Sequence, residues 1–196
     1  STLSLLQTAR RAAQEFDAAI ETLFYYAAWA DKFDGQVHQP PMHGIVAALN
    51  EPLGVIGIVC PDEAPLLGLL ALVAPAIALG NRVVVLPSTH LPLIATDLYQ
   101  VLDTSDIPDG VVNIVTDPGK SLSRILAAHA DVDALWRHDG DAAGCAEVEK
   151  LSAGNLKRTW VSGARGRDWH KAGQGRSQEF LRQASQVKNV WVPYGV

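Results

Sequence analysis

Two cysteines are the first residues whose chemistry bears on function. Cys60 and Cys145 are the chain's only thiols, and a thiolate acts as a nucleophile when a base or an oxyanion donor lies beside it. Cys60 ends an apolar run and Cys145 falls in a predicted helix, so we predict that both pack as small hydrophobic residues. Two cysteines outside any metal-like cluster are typical of a reducing, cytoplasmic compartment.

A short run of histidines and aspartates raises the question of a metal site. His129, Asp131, Asp133 and His138 lie within ten positions of one another, and imidazole and carboxylate groups both bind zinc. Two of these positions coincide with a predicted helix end and a predicted strand entry, where capping or solvated side chains are usual. We therefore expect no metal here.

Positive charge is concentrated in one polar segment towards the end of the chain. Residues 163–175 are rich in glycine and arginine, and the basic side chains of the region are Arg165, Arg167, Lys171 and Arg176. We predict a solvated linker there rather than a surface for an acidic partner. The whole chain has a net charge of −5, which gives no basic footprint for nucleic acid.

A predicted strand–helix–strand unit between Gly54 and Ser88 positions the turns that carry these polar residues. Val55 to Val59 is a short apolar run typical of a strand buried on both faces. Residues 66–79 carry no charge and are too few to span a bilayer, so a buried helix is expected before the stop signal Gly80-Asn81. Residues 82–86 form the second strand, and such units build parallel sheets with right-handed crossovers.

The rest of the chain continues this alternation, which predicts a doubly wound α/β layer. Helices are expected at 3–32, 92–102, 121–129, 142–151 and 177–184; strands at 111–115, 132–136, 157–161 and 186–192; and a hairpin within 36–50. Ser88 and Thr89 are candidate caps for the helix at 92–102. A length of 196 residues fits one domain with a sizeable core, and we find neither a signal peptide nor an apolar run of membrane length.

Several collinear motifs resemble the nucleotide-binding domain of the aldehyde dehydrogenases. They spread over nearly the whole chain and are Tyr25-Tyr26-Ala-Ala-Trp29-Ala-Asp31-Lys32, Glu51-Pro52-Leu-Gly54-Val-Ile-Gly57, Pro75-Ala-Ile-Ala-Leu-Gly80-Asn81, Pro108-Asp-Gly110-Val-Val-Asn113, His129-Ala-Asp131-Val-Asp133 and Asn155-Leu-Lys157-Arg158. The chain is most similar to the C-terminal half of family sixteen of that superfamily. In that family a full catalytic half is followed by a second copy that lacks its catalytic domain.

The resemblance implies a Rossmann-like doubly wound parallel sheet with a projecting β-flap. It places an N-terminal helix at 1–35, the Rossmann-like domain at 51–162, the flap at 36–50 and 186–196, and a linker at 163–185 where the catalytic domain would be. The flap corresponds to the family's oligomerisation hairpin and C-terminal strand, with Val187, Asn189, Val190, Trp191 and Val192 as expected interface residues. An edge strand offers unpaired backbone groups to a partner.

The positions that correspond to the family's oxyanion donor and ribose clamp are altered. The Pro-Trp-Asn-x-Pro turn is Pro61-Asp62-Glu63-Ala64-Pro65, and an ionised Glu63 accepts hydrogen bonds but donates none. The ribose-binding Lys-Pro-Ser-Glu is Leu86-Pro87-Ser88-Thr89, which lacks both the cation and the carboxylate. Losing two hydrogen bonds of about 1–1.5 kcal/mol each weakens binding roughly tenfold or more.

The phosphate turn and the general base are altered as well. The family's Phe-Thr-Gly-Ser is Arg137-His138-Asp139-Gly140, and we expect Asp139 to repel a pyrophosphate at a helix N-terminus that otherwise favours anions. The family's Glu-Leu-Gly-Gly is Ser162-Gly163-Ala164-Arg165, and serine does not replace a carboxylate base at neutral pH. We therefore expect no catalytic residues and no cofactor for this chain alone.

Three interpretations follow from this pattern. The first is a non-catalytic domain of a larger NAD-dependent aldehyde dehydrogenase, whose flap docks on the catalytic half of the same polypeptide or forms a homodimer. The second is a residual NAD-binding or regulatory module of the same oxidoreductase. The third is a free-standing enzyme of altered chemistry, against which the missing nucleophile–base pair argues. Under all three we expect no nucleic-acid or membrane partner.

Overall fold

The computed structural model describes residues 2–41, 43–117, 121–163 and 165–193, with side chains described from Leu5 onward. Within these ranges the chain forms two sheets, one of five strands and one of three. The expected α/β class with a Rossmann-like parallel sheet is confirmed. Ser1, Met42, residues 118–120, Ala164 and residues 194–196, which belong to segments predicted above, lie outside the described residues.

The elements follow one another in the predicted order, with ends that differ by at most three residues. The helices are α1 Thr2–Trp29, α2 Pro65–Ala78, α3 Leu93–Asp103, α4 Leu122–Ala128, α5 Ala142–Ser152 and α6 Gln178–Gln183, with a 3-10 turn at Ala153–Asn155. The strands are β1 Gln36–His38, β2 Gly44–Pro52, β3 Val55–Val59, β4 Arg82–Leu86, β5 Val112–Ile114, β6 Ala134–Arg137, β7 Arg158–Val161 and β8 Ser185–Pro193.

The five-stranded sheet is parallel and has the order β5-β4-β3-β6-β7. Ile56 and Ile58 on the central strand β3 are fully buried, as expected for a strand covered on both faces. The largest apolar cluster joins this sheet to α1, α2 and α6, and a smaller cluster packs α4 and α5 on residues of β6 and β7. The carboxyl ends of all five strands therefore meet at one edge.

The three-stranded sheet is antiparallel and has the order β1-β2-β8. β2 pairs along its whole length with β8, from Gly44 opposite Pro193 to Pro52 opposite Ser185. β8 lies at one edge of this sheet, and all its residues after Ser185 are exposed. The segments expected to form the flap thus pair with one another.

Asn81 joins the two sheets at the point where α2 ends. Its buried side-chain amide donates to the carbonyl oxygens of Ala76 and Ala184, over 2.9 and 2.8 Å. Its carbonyl oxygen accepts from the backbone nitrogens of Leu53 and Gly54. One side chain therefore fixes the start of β3 and the start of β8 against the end of the central helix.

In the part of the chain that the structure describes, we find no helix with the length and apolar character needed to cross a bilayer.

Candidate functional site

The candidate site lies at the carboxyl edge of the parallel sheet, where doubly wound α/β proteins bind their ligands. The turns after β3 and β4 are tied together here by Asp62. One oxygen of its carboxylate accepts from the hydroxyl of Ser88 and the backbone nitrogen of Thr89, both over 2.8 Å, and from the hydroxyl of Thr89 over 3.2 Å. Ser88 and Thr89 therefore bind Asp62, and the prediction that they cap α3 is wrong. The residue before α3 is Pro92, which supplies no side-chain cap.

Leu86 and Glu63, the altered ribose and oxyanion positions, lie in the chain next to the two turns that Asp62 joins. Leu86 is the last residue of β4 and its side chain is buried, so it offers the site neither charge nor a donor. Glu63 is exposed in the turn before α2. A cleft of about 370 Å³ lies beside Ser88 and Thr89, between the start of α3 and Thr116–Asp117.

The turn after β6 contains a buried ion pair. Arg137 donates through Nε and Nη2 to the two carboxylate oxygens of Asp139, each over 3.0 Å, and Nη2 also donates to Asp141 over 2.8 Å. Nη1 donates to the hydroxyl of Ser123 over 3.1 Å. The side chain of Asp139 is fully buried. The expectation that Asp139 presents its charge to a ligand is therefore corrected, because Arg137 neutralises that charge inside the protein.

The N-terminus of α5 is also capped by the chain itself. Asp141 accepts from the backbone nitrogen of Gly144 over 3.1 Å, which satisfies a donor that an anion would otherwise take. The guanidinium of Arg137 lies so close to Gly144 that a Cβ there would collide with it. Gly140 forms the turn with a φ of +75°, a conformation that glycine adopts without strain.

His138 lies beyond the end of β6 within a cluster of aromatic rings. Its ring centroid is 4.5 Å from that of Trp160 and 5.9 Å from that of Trp169, both edge to face. Among the described residues neither of its ring nitrogens has a hydrogen-bond partner. Burial, with a smaller contribution from the nearby charge of Arg167, lowers the pKa of His138 to about 3.

Residues 163–175 were predicted to be a solvated linker, and most of those that the structure describes, including Arg165 and Lys171, are exposed; Trp169 is an exception that the sequence did not indicate. Trp169 belongs to the main apolar cluster and is only 4% exposed. Arg167 lies over the rings of Trp160 and Phe180 at 5.1 Å and pairs with Glu179. The sequence did not predict this packing, because a single tryptophan among arginine and glycine residues gives no hydrophobic periodicity.

The four histidine and aspartate residues considered for a metal do not converge. Asp133 precedes β6 and accepts from the backbone nitrogen of Val55, whereas His138 follows the opposite end of the same strand. His129 accepts from the backbone nitrogen of Asp131. Asp133 and His129 thus each accept a hydrogen bond from a backbone nitrogen.

Neither cysteine has the environment of a nucleophile. Cys60 and Cys145 are buried without a disulfide. Burial raises the pKa of the Cys145 thiol, which is opposite to the lowered pKa that activates a thiolate.

The edge strand β8 bears the residues expected at an interface. Apolar side chains remain largely exposed along it, with Trp191 at 57% and Val187 at 61%. An unpaired strand edge of nine residues with exposed apolar side chains is suited to pairing with another sheet.

A model of the aldehyde dehydrogenase family matches residues 2–163. The chain belongs to the aldehyde dehydrogenase family. It is 36% identical over 146 residues to aldehyde dehydrogenase 1A1 of Bos taurus, which covers 74% of this chain and 29% of the relative. It is 32% identical to the NADP/NAD-dependent aldehyde dehydrogenase PuuC of Escherichia coli, over 75% of this chain and 30% of the relative.

Solved structures of the family share the fold. An NAD-dependent aldehyde dehydrogenase from Sinorhizobium meliloti superposes with a TM-score of 0.70 at 28% identity, covering 77% of this chain and 30% of that one. This aldehyde dehydrogenase chain thus spans less than a third of the length of the relatives it matches.

The dinucleotide that the family implies does not fit the residues present. The strand end that would clamp a ribose is the buried Leu86, and the helix end that would receive a pyrophosphate is occupied by Asp141 and the pair of Arg137 with Asp139. The side chain of Leu86 is thus buried, and Asp139 and Asp141 are bonded to groups of the chain itself. We therefore derive no chemical step through NAD in this chain.

Proposed function

We propose that this chain is a non-catalytic aldehyde-dehydrogenase-like domain of a larger, cytoplasmic NAD-dependent aldehyde dehydrogenase, similar to the C-terminal half of family sixteen. Its role is structural. The three-stranded sheet docks through β8 onto the catalytic half of the same polypeptide and takes the position that a partner subunit would hold. The cofactor and the aldehyde belong to that catalytic half.

The observation that supports this role is β8 itself. It is paired with β2 on one side, and its residues after Ser185 are exposed, including the apolar Val187, Trp191 and Val192. At the carboxyl edge of the parallel sheet, the carboxylates of Asp62, Asp139 and Asp141 are bonded to groups of the chain itself. A scaffold whose carboxylates at this edge are bonded internally, and whose strand β8 has no further strand beside it among the described residues, is suited to association rather than to turnover.

The test uses the full-length polypeptide in which this chain lies. We expect a domain with a catalytic cysteine upstream of Ser1. We expect the Trp191→Asp substitution to separate that domain from this one, while the circular dichroism of this chain stays unchanged. Small-angle scattering of the full-length protein measures the separation. Val37→Asp is the matched control, because Val37 is 72% exposed on β1 at the opposite edge of the same sheet.

Two results would contradict the proposal. One is a reading frame without a catalytic domain before Ser1. The other is a Trp191→Asp variant whose full-length protein scatters like the wild type, or in which the α/β layer itself unfolds. Sedimentation of the isolated chain shows whether β8 pairs with a second copy, in which case the homodimer is the assembly.

The alternative is a residual NAD-binding or regulatory module. The cleft of about 370 Å³ beside Ser88 and Thr89 favours it, because this cleft lies at the carboxyl end of β4 where a nucleoside would be held. Calorimetry with NAD at millimolar concentration separates the two functions. Heat of binding that saturates would support the module, and the absence of heat would rule it out.

A further inference from the structure

The parallel sheet has one point at which a ligand crevice is expected, between β3 and β6. From β3 the chain proceeds to β4 and β5 on one side and then to β6 and β7 on the other, so the strand order reverses between β3 and β6. Open α/β sheets bind ligands in the crevice outside the carboxyl ends of the strands at such a point. Its borders here are Pro61 and the first turn of α2 on one side and His138 on the other.

Trp169 contacts both borders of this crevice. One of its ring carbons, Cδ2, is 3.7 Å from the position that a Cβ on Gly68 would take, and Gly68 lies in the first turn of α2. The ring centroid is 5.9 Å from that of His138 and 6.4 Å from that of Phe180. The indole therefore lies between the first turn of α2, the turn after β6 and α6.

The segment that carries Trp169, residues 165–177, is fixed by its own hydrogen bonds, and we call it the strap. The backbone nitrogens of Gly173 and Gly175 donate to the carbonyl oxygens of Arg176 and Lys171, over 3.0 and 2.9 Å. Arg167 donates to the carbonyl oxygen of Gln174 over 2.6 Å. Gly175 lies against the carbonyl group of Trp169 so closely that no Cβ fits there.

We propose that the strap closes the crevice of this chain. The crevice is a site for a planar aromatic ring, and the indole of Trp169 occupies it. The site is lined by Pro61, Gly68, His138 and Phe180, which offer it apolar surface and ring edges. The two nitrogens of His138 have no hydrogen-bond partner among the described residues, so the imidazole is available to a heteroaromatic ring that replaces the indole. Apolar cavities of this kind bind small aromatic molecules when the side chain that fills them is removed.

The test is titration of Trp169→Ala with indole, a probe that carries no ribose or phosphate. Its binding does not depend on the ribose clamp or on the docking of β8, so its outcome is separate from that of the proposed function. We expect indole at about ten times its Kd to raise the Tm of the variant by about 3–5 °C. Amide resonances of Gly68 and His138 should shift. The wild type and Trp191→Ala, which loses an exposed indole, should show neither effect.

Hydrogen exchange of the wild type keeps the proposal testable if Trp169→Ala fails to fold. We expect the amides of Gly173 and Gly175 to exchange at least about 100-fold more slowly than unprotected amides, because both donate within a fixed strap. Unprotected exchange at both positions would overturn the proposal, as would a folded Trp169→Ala variant that does not respond to indole. Equal binding of indole by the wild type and the variant would also overturn it, since the site would then be open.

Discussion

Arg137 holds the carboxylate of Asp139 through two parallel hydrogen bonds of 3.0 Å at the carboxyl end of β6. This pair lies where the N-terminus of α5 would otherwise attract an external anion. The guanidinium and the two aspartates of the turn thus satisfy one another. The N-terminus of α5 is therefore bonded to groups of the chain itself.

Asp139→Asn tests the energetic role of this pair. The substitution keeps one acceptor oxygen but leaves the buried guanidinium of Arg137 with Asp141 as its remaining carboxylate partner among the described residues. We expect the free energy of unfolding in urea to fall by about 2–3 kcal/mol. Glu147→Gln is the control, because Glu147 pairs with Arg124 at the surface and its loss should cost less than about 1 kcal/mol. Equal effects of the two substitutions would contradict the assignment.

The helices and strands could be predicted from the sequence, because apolar runs and the residues that end them are local signals. Val55–Val59 and Arg82–Leu86 were predicted at the bounds that the structure shows. Gly80-Asn81 ends α2 as expected. The start of β6 was predicted two residues too early, since Val132 was included although the strand begins at Ala134.

The site was less accessible, because its determining contacts join residues that are far apart in the chain. The altered positions Glu63, Leu86 and Asp139 were identified by type, but the sequence carries no sign that Asp62 binds residues of two turns. Arg137 two positions before Asp139 was a possible signal for the ion pair. Trp169 gave none, since a lone aromatic residue in a polar segment has no period.

Asn81 is predicted to be the most sensitive polar residue of the core. Its side chain makes four hydrogen bonds to backbone groups of Leu53, Gly54, Ala76 and Ala184. Asn81→Ala removes this partner from Leu53, Gly54 and Ala184, whereas the carbonyl oxygen of Ala76 keeps the backbone nitrogen of residue 81. We expect a loss of about 3 kcal/mol in the free energy of unfolding. Asn155→Ala, which removes two exposed hydrogen bonds, should cost less than about 1 kcal/mol. Chemical denaturation of both variants measures the difference, and a loss for Asn81→Ala no larger than that of the control would disprove the prediction.

Glu15 is predicted to stabilise the start of α2 from another helix. Its carboxylate accepts from the backbone nitrogens of Leu66 and Leu67, over 2.8 and 3.1 Å, and α2 has no side-chain cap of its own. We expect Glu15→Gln to lower the free energy of unfolding by about 1 kcal/mol, since charge at a helix N-terminus and the strength of both hydrogen bonds are reduced. Asp17→Asn neutralises an exposed carboxylate on the same helix and should change it by less than about 0.5 kcal/mol. Thermal unfolding of the two variants compares them, and a Glu15→Gln variant as stable as the wild type would remove this capping role.

His138 predicts a specific dependence of stability on pH. Burial lowers its pKa in the folded state to about 3, from 6.5 in the unfolded chain. Above pH 6.5 the imidazole is neutral in both states and its contribution is fully present. As the pH falls from about 6.5 towards 3 the unfolded state takes up a proton that the folded state does not, so the free energy of unfolding falls by up to about 1.4 kcal/mol per pH unit. Asp139 and Arg167 are the charged groups that act on this titration.

His138→Phe should remove this decline, because phenylalanine keeps the ring contacts with Trp160 and Trp169 and has no proton to take up. The variant should be about as stable as the wild type at pH 7, since the two ring nitrogens that it loses have no hydrogen-bond partners among the described residues. Between pH 7 and pH 5 we expect the wild type to lose about 1–2 kcal/mol more than the variant in urea denaturation. Parallel pH profiles for the wild type and His138→Phe would show that His138 titrates normally, and hence that the strap leaves it open to solvent.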